Sequence, residues 1–326
     1  MSPTTSRPKP PQSSKPNDLE ARLAQRGTTR RDFLKLCGLL TATLAMPAAH
    51  ATRMAEALTH TARLPVIWLE FQGCTGDTES FLRASNPSAA ALLLETISLE
   101  YHETVMAAAG TAAEQARQNV ITTYPHQYFA IVEGAISTAA NGAYCTIAGR
   151  SALDIVQEVC GNALATITVG SCGWDGGLPA ANPDPTTAVG VSTAVPGLTN
   201  ILSLPGCPMN VVNLTAAITY YLTYGALPPA DEHGRPLFAY GHEIHETCPR
   251  RHFYENEQFV EAWGDAGHRQ GWCLYEMGCR GPESHSNCNQ VLWNEGTNWP
   301  IGAGHPCIGC VEPHFWDNLS PFYEED

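Results

Sequence analysis

Residues 64–74 read LPVIWLEFQGC, an apolar run that ends in a glycine and a cysteine. A short run rich in branched and aromatic side chains, bounded by glycine, is typical of a buried strand. Similar runs follow at residues 128–134, 165–170 and 198–204, and helical patterns separate them. Because strands that alternate with helices form parallel sheets, the sequence predicts a doubly wound α/β sheet.

Helices are predicted where alanine, leucine or amphipathic spacing dominates, over residues 87–109, 152–163 and 209–224. Near residues 226–235 the composition changes to glycine, proline, histidine, cysteine and aromatic residues, with little periodicity. Beyond this point only short helices are expected, for example over residues 256–265. A segment with so few aliphatic runs is expected to be held together largely by its metal centres.

The N-terminal segment has the pattern of an export signal. Residues 1–26 are polar and rich in proline and serine, which is typical of disorder. The motif TRRDFLK at residues 29–35 precedes a weakly apolar stretch and the small-residue site AHA at residues 49–51. Paired arginines in this setting predict a twin-arginine signal that is cleaved after Ala51. We therefore expect a disordered tail with a signal peptide over 1–51, an α/β domain over 52–228 and a C-terminal domain over 229–326.

The balance of charge changes at the same boundary. Residues 1–51 contain 8 of the 18 lysines and arginines but only 3 of the 32 aspartates and glutamates, and no lysine follows. An acidic surface of this kind repels nucleic acid, so we expect no nucleic-acid partner. The apolar stretch of the signal is shorter than the roughly 20 residues that a membrane-spanning helix needs. No longer apolar run follows it, so we expect no membrane anchor in the mature chain.

Nine of the twelve cysteines form a spaced series with one histidine and one aspartate. Cys74, Cys172 and Cys207 each follow a predicted strand, and glycines flank all three. Ligands in open α/β sheets lie beyond the carboxyl ends of the strands, so these cysteines are expected to converge on one edge. Disulfides would be the alternative in an exported protein. A chain of this length can bury a core without disulfide staples, which favours metal clusters.

The C-terminal segment contains seven soft ligands within 66 residues, namely His245, Cys248, Cys273, Cys279, Cys288, Cys307 and Cys310. Their spacing divides them into a set of four and a set of three. Zinc would accept one histidine and three cysteines as its four ligands. The remaining set of three cysteines would leave a zinc ion with an open coordination position and no obvious role. A four-ligand set suits a [4Fe–4S] cluster and a three-thiolate set suits a [3Fe–4S] cluster. Several clusters in one small protein indicate electron transfer.

Over residues 64–326 the chain resembles the small, electron-transferring subunit of [NiFe] hydrogenases. The motifs that carry the resemblance are GCTGDTES (73–80), GSCGWDGG (170–177), PGCP (205–208), HETCPR (245–250), GWCLYEMGC (271–279), NC (287–288), GHPCIGC (304–310) and FW (315–316). The resemblance implies a flavodoxin-like parallel sheet followed by an irregular, mostly helical cluster domain. It also implies a separate large subunit that holds the nickel–iron centre, so this chain would be active only in a heterodimer.

The resemblance further implies three clusters. A proximal [4Fe–4S] cluster would be held by Cys74, Asp77, Cys172 and Cys207, and a distal [4Fe–4S] cluster by His245, Cys248, Cys273 and Cys279. A medial [3Fe–4S] cluster would be held by Cys288, Cys307 and Cys310, with Pro300 in the place of a fourth ligand. Electrons from dihydrogen oxidation would pass through these clusters to an acceptor such as a cytochrome, in the periplasm or at the outer face of the cytoplasmic membrane.

Asp77 is a departure from the pattern of the family, which has a second cysteine at this position of the motif. A carboxylate is a harder ligand than a thiolate. It would ligate the fourth iron, leave that iron open, or yield a three-iron cluster, and we expect ligation. This cysteine-to-aspartate change resembles a branch of the family studied for activity in air. A second air-tolerant type carries extra cysteines where this chain has Gly76 and Gly177, so that mechanism is not expected.

Four further residues have roles that the motifs leave open. Glu79 would either relay protons near the proximal cluster or cap the helix that follows. Cys160 and Cys145 are expected to be structural, and Cys37 is expected to leave with the signal peptide. The rival functions are a stand-alone ferredoxin-like electron carrier and a zinc-stabilised binding module. A respiratory quinone-reductase subunit is a weaker rival, because it lacks the export signal and the C-terminal ligand series.

Overall fold

The computed structural model describes residues 29–60, 63–84, 96–293 and 296–319. The strands are β1 (Leu64–Glu70), β2 (Ile97–His102), β3 (Phe129–Glu133), β4 (Ile136–Ser137), β5 (Thr146–Ile147), β6 (Arg150–Ser151), β7 (Ala165–Val169), β8 (Ala188–Val189) and β9 (Ile201–Leu204). The first helices are α1 (Arg30–Thr43), α2 (His50–His60), α3 (Gly76–Leu82), α4 (Thr111–Thr123), α5 (Ala152–Gly161), α6 (Gly170–Asp175), α7 (Val191–Ala194) and α8 (Val211–Tyr224). They are followed by α9 (Leu237–Tyr240), α10 (Arg251–Glu255), α11 (Ala266–Gln270), α12 (Cys288–Val291) and α13 (Phe315–Asn318).

The central sheet confirms the predicted parallel α/β fold. Five strands pair in the order β2-β1-β3-β7-β9, and all four pairings are parallel. Among these five strands alone the order is 2-1-3-4-5, which is the flavodoxin-like arrangement. Side chains of β1 alternate between two buried clusters, with Val66 and Trp68 on one face and Ile67 and Leu69 on the other. Burial of both faces is what a parallel sheet covered by helices requires.

Two predicted helices are wrong. Residues 97–102 form the edge strand β2 instead of helix, and they pair in parallel with β1. Ile97 and Leu99 pack on one face of the sheet and Tyr101 packs on the other, because the register shifts between Val66 and Ile67. The remainder of that prediction up to residue 95 lies outside the described residues. Residues 256–265 form a loop, since Asp265 begins α11 by accepting a hydrogen bond from the His268 N–H at 2.5 Å. An aspartate of this kind is an N-cap, which starts a helix and does not end one.

The first described helices also differ from expectation. We expected the first 51 residues to lie outside the fold, and the tail over residues 1–26 is outside the described part of the chain. Helix α1, however, packs with α2 against α8, where Leu40, Leu44 and Met54 are buried with Ala216. The apolar stretch of the predicted signal is therefore one face of an amphipathic helix. Among the described residues, no helix combines the length and the apolar character needed to cross a bilayer.

Beyond α8 the chain forms short helices and 3₁₀ turns around a small core of Ile244, Val260, Leu274, Trp299 and Ile301. Arg235, near the start of this segment, is only 4% exposed and contacts residues near the end of the same segment. Its Nε donates to Asp231 Oδ2 at 2.8 Å and its Nη1 donates to the Val311 carbonyl at 2.8 Å. The same Nη1 lies 3.1 Å from Glu312 Oε2. The guanidinium of Arg235 therefore provides the positive charge that compensates two largely buried carboxylates, those of Asp231 and Glu312.

Replacing Arg235 by methionine is expected to destabilise the protein by about 3–5 kcal/mol, because it leaves largely buried carboxylates without their counter-charge. Arg251→Met is the matched control, since Arg251 pairs with Glu255 on the surface. Exposed pairs contribute about 0–1 kcal/mol, so the control is expected to unfold close to wild type. Thermal unfolding of the purified variants compares the two. Equal shifts in both would contradict the structural role of Arg235.

Candidate metal centres

The four residues of the predicted proximal set lie together beyond the carboxyl ends of β1, β7 and β9. Burial and the charges of Cys207, Asp77 and Cys74 raise the pKa of the Cys172 thiol to about 12. Burial and the charges of Cys74 and Asp77 raise the pKa of Cys207 to about 11. Charges act in this way only over short distances. The structure therefore brings residues that are far apart in the sequence to one site.

Glycines make room around the sulfur atoms of this site. A Cβ atom on Gly76 would lie 3.0 Å from Cys74 Sγ, and one on Gly177 would lie 2.6 Å from Cys172 Sγ. Gly177 also has φ of +57°, a backbone conformation that other residues adopt only with strain. The donor set and the open backbone around it fit an iron–sulfur cluster, which takes soft thiolate ligands at close approach.

Asp77 is buried and its backbone begins α3. Its Oδ1 accepts a hydrogen bond from the Met209 N–H at 2.6 Å. A Cβ atom on Gly170 would lie 2.1 Å from Asp77 Oδ2, so this carboxyl also needs a glycine beside it. Burial and the charge of Glu133 raise the pKa of Asp77 to about 8, although the Met209 hydrogen bond opposes the shift. The iron of a bound cluster would supply the positive charge that favours an ionised carboxylate here.

Glu133, at the end of β3, positions Asp77 and was not predicted from the sequence. Its Oε1 accepts from the Asp77 N–H at 3.0 Å, and its Oε2 accepts from the Thr78 N–H at 3.1 Å and the Thr78 hydroxyl at 2.5 Å. The Trp68 indole N–H donates to Oε2 at 3.1 Å. Only 1% of Glu133 is exposed. The signal in the sequence was a carboxylate that ends an otherwise apolar strand.

His102 extends this network on the far side of Thr78. Its Nδ1 accepts from the Thr104 N–H at 3.2 Å, so the network assigns the proton to Nε2, which lies 3.2 Å from Thr78 Oγ1. The ring stacks on Trp68 with 5.1 Å between centroids. Burial lowers the pKa of His102 from 6.5 to about 4, against a smaller opposing effect of Glu70. The imidazole is therefore neutral at neutral pH.

Acidification is expected to destabilise the wild-type protein through His102. The unfolded chain binds a proton at this residue below pH 6.5 and the folded chain only below about pH 4, so stability falls as the pH drops through that window. The loss is on the order of 3 kcal/mol. His102→Gln replaces the imidazole N–H by an amide N–H donor and has no side chain that titrates between pH 4 and pH 7. The free energy of unfolding, measured at pH 7 and at pH 4, should therefore decrease less in the variant than in the wild type. Parallel pH profiles for both proteins would contradict this.

The predicted distal set surrounds a second, small cavity. His245, Cys248, Cys273 and Cys279 all line it, with Ile301 among the apolar residues behind them. Burial and the charges of Cys279 and Cys248 raise the pKa of Cys273. The His245 ring makes an edge contact with Tyr254 at 4.8 Å, and its neighbour Glu246 is exposed. The four side chains therefore converge close to the protein surface.

The predicted medial set lies between the other two. Cys288, Cys307 and Cys310 line a cavity of about 1040 Å³ together with Cys207 and Pro300. Burial and then the charges of Cys288, Cys307 and Cys207 raise the pKa of Cys310 well above its usual value. On the other side, the Cys307 N–H donates to Cys279 Sγ at 3.3 Å. One member of the medial set therefore neighbours the proximal set and another neighbours the distal set.

Two serines near the medial set were not anticipated. Ser286 Oγ lies 2.9 Å from Cys288 Sγ, and Ser284 Oγ lies 3.5 Å from Cys307 Sγ. Hydroxyl groups at such positions stabilise thiolates and tune the potential of a bound cluster. Neither serine has a distinguishing spacing in the sequence, so no local pattern would have revealed them.

The other candidate residues occupy different environments. Cys160 is buried in the core beside the sheet, and burial raises the pKa of its thiol to about 12. Cys145 is half-buried. Glu79 is exposed and pairs at 2.7 Å with Arg83, the residue that follows α3, and its side chain does not cap that helix. Cys37 is buried under α2.

In the described part of the chain, no three His, Cys, Asp or Glu side chains converge tightly enough to hold a single metal ion. A cluster differs from a single ion in this respect, because each ligand binds a different iron atom at the periphery of the cluster. The wider spacing within each of the three sets is therefore compatible with cluster ligation.

Known proteins are similar to this one along almost the whole chain. The periplasmic [NiFe] hydrogenase small subunit 1 of Nitratidesulfovibrio vulgaris is 47% identical over 306 residues, which cover 94% of this chain and 96% of the relative. The chain belongs to the small subunits of the [NiFe] hydrogenases. A family model for the C-terminal part of the NiFe/NiFeSe hydrogenase small subunit matches residues 240–323. A model for the 20 kDa subunit of NADH ubiquinone oxidoreductase matches residues 74–221.

Other hydrogenase small subunits agree in sequence and in fold. The hydrogenase-2 small chain of Escherichia coli is 45% identical over 287 residues, covering 88% of this chain and 77% of the relative. A crystal structure of the reduced, active NiFeSe hydrogenase of Desulfomicrobium baculatum has a TM-score of 0.74 and 36% identity, covering 81% of this chain and 100% of that one. The actinobacterial-type NiFe hydrogenase of Ralstonia eutropha, at 23% identity and a TM-score of 0.73, shares the fold.

Proposed function

We propose that this protein transfers electrons from dihydrogen oxidation at a large subunit, through three iron–sulfur clusters, to an external acceptor. The observation that carries the proposal is the consecutive placement of three ligand sets, linked by the neighbours Cys207 and Cys310 on one side and Cys307 and Cys279 on the other. Iron–sulfur clusters bound by these sets supply one-electron redox centres. A stand-alone carrier is not favoured, because the relatives are hydrogenase subunits along their length.

The residues of each set have assigned roles in this proposal. Cys74, Asp77, Cys172 and Cys207 hold a proximal [4Fe–4S] cluster, His245, Cys248, Cys273 and Cys279 a distal [4Fe–4S] cluster, and Cys288, Cys307 and Cys310 a medial [3Fe–4S] cluster. Ser284 and Ser286 hydrogen-bond to medial sulfur atoms. His245 lies beside exposed residues, which supports an electron exit at that surface. Glu79 is exposed and lines the large cavity, so its carboxylate is accessible for the proton relay that we propose as one of its roles.

The relatives support the partner and the location that we propose. The nickel–iron centre belongs to a hydrogenase large subunit, and the acceptor is a redox protein such as a cytochrome. Relatives include periplasmic small subunits and a quinone-reactive small chain of Wolinella succinogenes. Together with the paired arginines at residues 30–31, these relatives support export in folded form by the twin-arginine route to the periplasm or the outer face of the cytoplasmic membrane.

Purification of the tagged chain from its native host, together with any partner that it binds, tests the proposal. Nickel is expected to co-purify in equal amount with the chain. Iron and sulfide should match two [4Fe–4S] clusters and one [3Fe–4S] cluster, and the oxidised protein should give the EPR signal of a three-iron cluster. A chain that purifies alone in its native host, or that contains zinc without iron, would overturn the proposed function.

A further inference from the structure

Arg250 lies at the predicted distal set although it is not one of the four ligands. It follows Cys248 by two residues and lines the same small cavity as the ligands. Its Nη1 donates to the Trp272 carbonyl at 2.9 Å, and Trp272 directly precedes Cys273. Its own carbonyl accepts the Phe253 N–H at 3.0 Å at the start of α10. The guanidinium is therefore held between two segments of the chain that carry ligands.

The charge of Arg250 is not neutralised by a carboxylate in the part of the chain that the structure describes. Two neighbouring arginines differ in this respect. Arg251 pairs with Glu255 at 3.0 Å, and Arg280 lies 3.6 Å from Glu283. Because an arginine stays protonated in proteins, a full positive charge lies at the distal set without a carboxylate as counter-charge.

The effect of Arg250 reaches two thiols of the distal set. Burial raises the pKa of Cys248, whereas the backbone N–H and, to a smaller extent, the charge of Arg250 lower it. Burial and the charges of Cys279 and Cys248 raise the pKa of Cys273, and the charge of Arg250 again opposes the shift. A positive charge that favours thiolates favours any added negative charge at the same place.

Reduction adds negative charge to a cluster at this set. Three thiolates bring three negative charges, and an imidazole binds metal in its neutral form. A fixed positive charge at the ligand set therefore stabilises the reduced form more than the oxidised form. Net charge is one of the factors that determine the reduction potential of an iron–sulfur cluster.

We propose that Arg250 raises the reduction potential of the distal cluster through its positive charge and so makes the last centre before the acceptor easier to reduce. The proposal rests on the proposed function, because it concerns a cluster at the distal set. A guanidinium has no acceptor atom, so Arg250 is not a ligand itself. It acts on the cluster through Cys248 and Cys273 and is a positioning residue.

A redox titration of the distal EPR signal in the purified complex tests the proposal. Arg250→Gln removes the charge and keeps an N–H donor, whereas Arg250→Lys keeps the charge. The equilibrium constant for reduction is expected to fall about tenfold in Arg250→Gln, which is about 59 mV for a one-electron couple, and to stay near wild type in Arg250→Lys. Arg269→Gln is the matched control, because Arg269 is exposed in α11 and solvent screens its charge. An unshifted potential in Arg250→Gln, or equal shifts in Arg250→Gln and Arg269→Gln, would overturn the proposal.

Iron and sulfide analysis of the same complexes separates the remaining outcomes. The EPR signal that is missing in Cys273→Ala identifies the distal cluster. Loss of distal iron in Arg250→Gln but not in Arg250→Lys supports the proposal, because the charge is then needed to hold three thiolates together. Loss in both variants would assign Arg250 to its hydrogen bond with the Trp272 carbonyl and overturn the role of the charge. A wild-type complex without iron contradicts the proposed function, whereas a loaded complex with an unshifted potential contradicts only the role of Arg250.

Discussion

Replacing Cys172 by alanine is expected to reduce hydrogen-dependent dye reduction by the heterodimer by well over a hundredfold, since loss of outer-shell partners alone costs metal sites roughly 10–100-fold. Cys172 lies in α6, directly after β7, and the charges of Cys207, Asp77 and Cys74 all act on its thiol. In the proposed assignment, its removal would leave one iron of the proximal cluster without a ligand. The measurement combines initial rates with iron and sulfide content and the EPR spectrum of the reduced protein.

Cys145→Ala is the matched control for this experiment. Cys145 is a half-buried cysteine outside the three ligand sets, so its substitution removes a thiol without removing a ligand. The control is expected to keep its iron content and a rate within about twofold of wild type, as surface and partly buried substitutions away from special features usually do. Full iron content and activity in Cys172→Ala would contradict the ligand role, and so would equal losses in both variants.

The parts of the fold that could be predicted are those whose secondary structure is indicated by the composition of a short stretch of sequence. Runs such as residues 64–71 and 165–170 identify themselves by composition, and the placement of ligands beyond the carboxyl ends of parallel strands is general. Cys172 could therefore be assigned to a sheet edge before any contact was known. Strand β2 was missed because its apolar residues are few and their assignment to the two faces of the sheet depends on a register shift in the pairing with β1.

The remaining features depend on residues that are distant in sequence. Glu133 acts on the backbone of Asp77 across 56 positions, and no spacing rule connects them. The same holds for the proximity of Cys207 to Cys310, which determines the order of the ligand sets. The packing of α1 on α8 could not be predicted from the sequence either, because an amphipathic pattern does not identify the surface against which the apolar face packs. The ligand sets were predicted from the resemblance to a family, whereas the residues that position these ligands became visible only in the structure.

Replacing Asp77 by asparagine is expected to change the proximal cluster while leaving the fold intact. The asparagine Oδ1 can still accept the hydrogen bond from the Met209 N–H, and the side chain keeps its size beside Gly170. What is lost is the negative charge, which is the property an iron ligand of this type provides. We expect loss of one iron or an altered proximal EPR signal, and activity lower by about tenfold or more. Asp77→Cys should restore a four-iron cluster, because it supplies an anionic thiolate.

A purely structural role for Asp77 predicts a different pattern among the asparagine, cysteine and alanine variants. Asparagine would then behave as wild type, since it preserves the hydrogen bond at 2.6 Å to the Met209 N–H. Alanine and cysteine would both lose about 1–3 kcal/mol of stability by leaving that buried N–H unpaired. Unfolding midpoints and proximal EPR spectra of the three variants separate the two roles. If Asp77 is a ligand, only the variant with an anionic side chain, cysteine, keeps a four-iron cluster. If Asp77 acts through its hydrogen bond, only the variant that can accept that bond, asparagine, keeps the wild-type stability. The two roles therefore predict opposite results for asparagine and cysteine, and a comparison of these two variants decides between the roles.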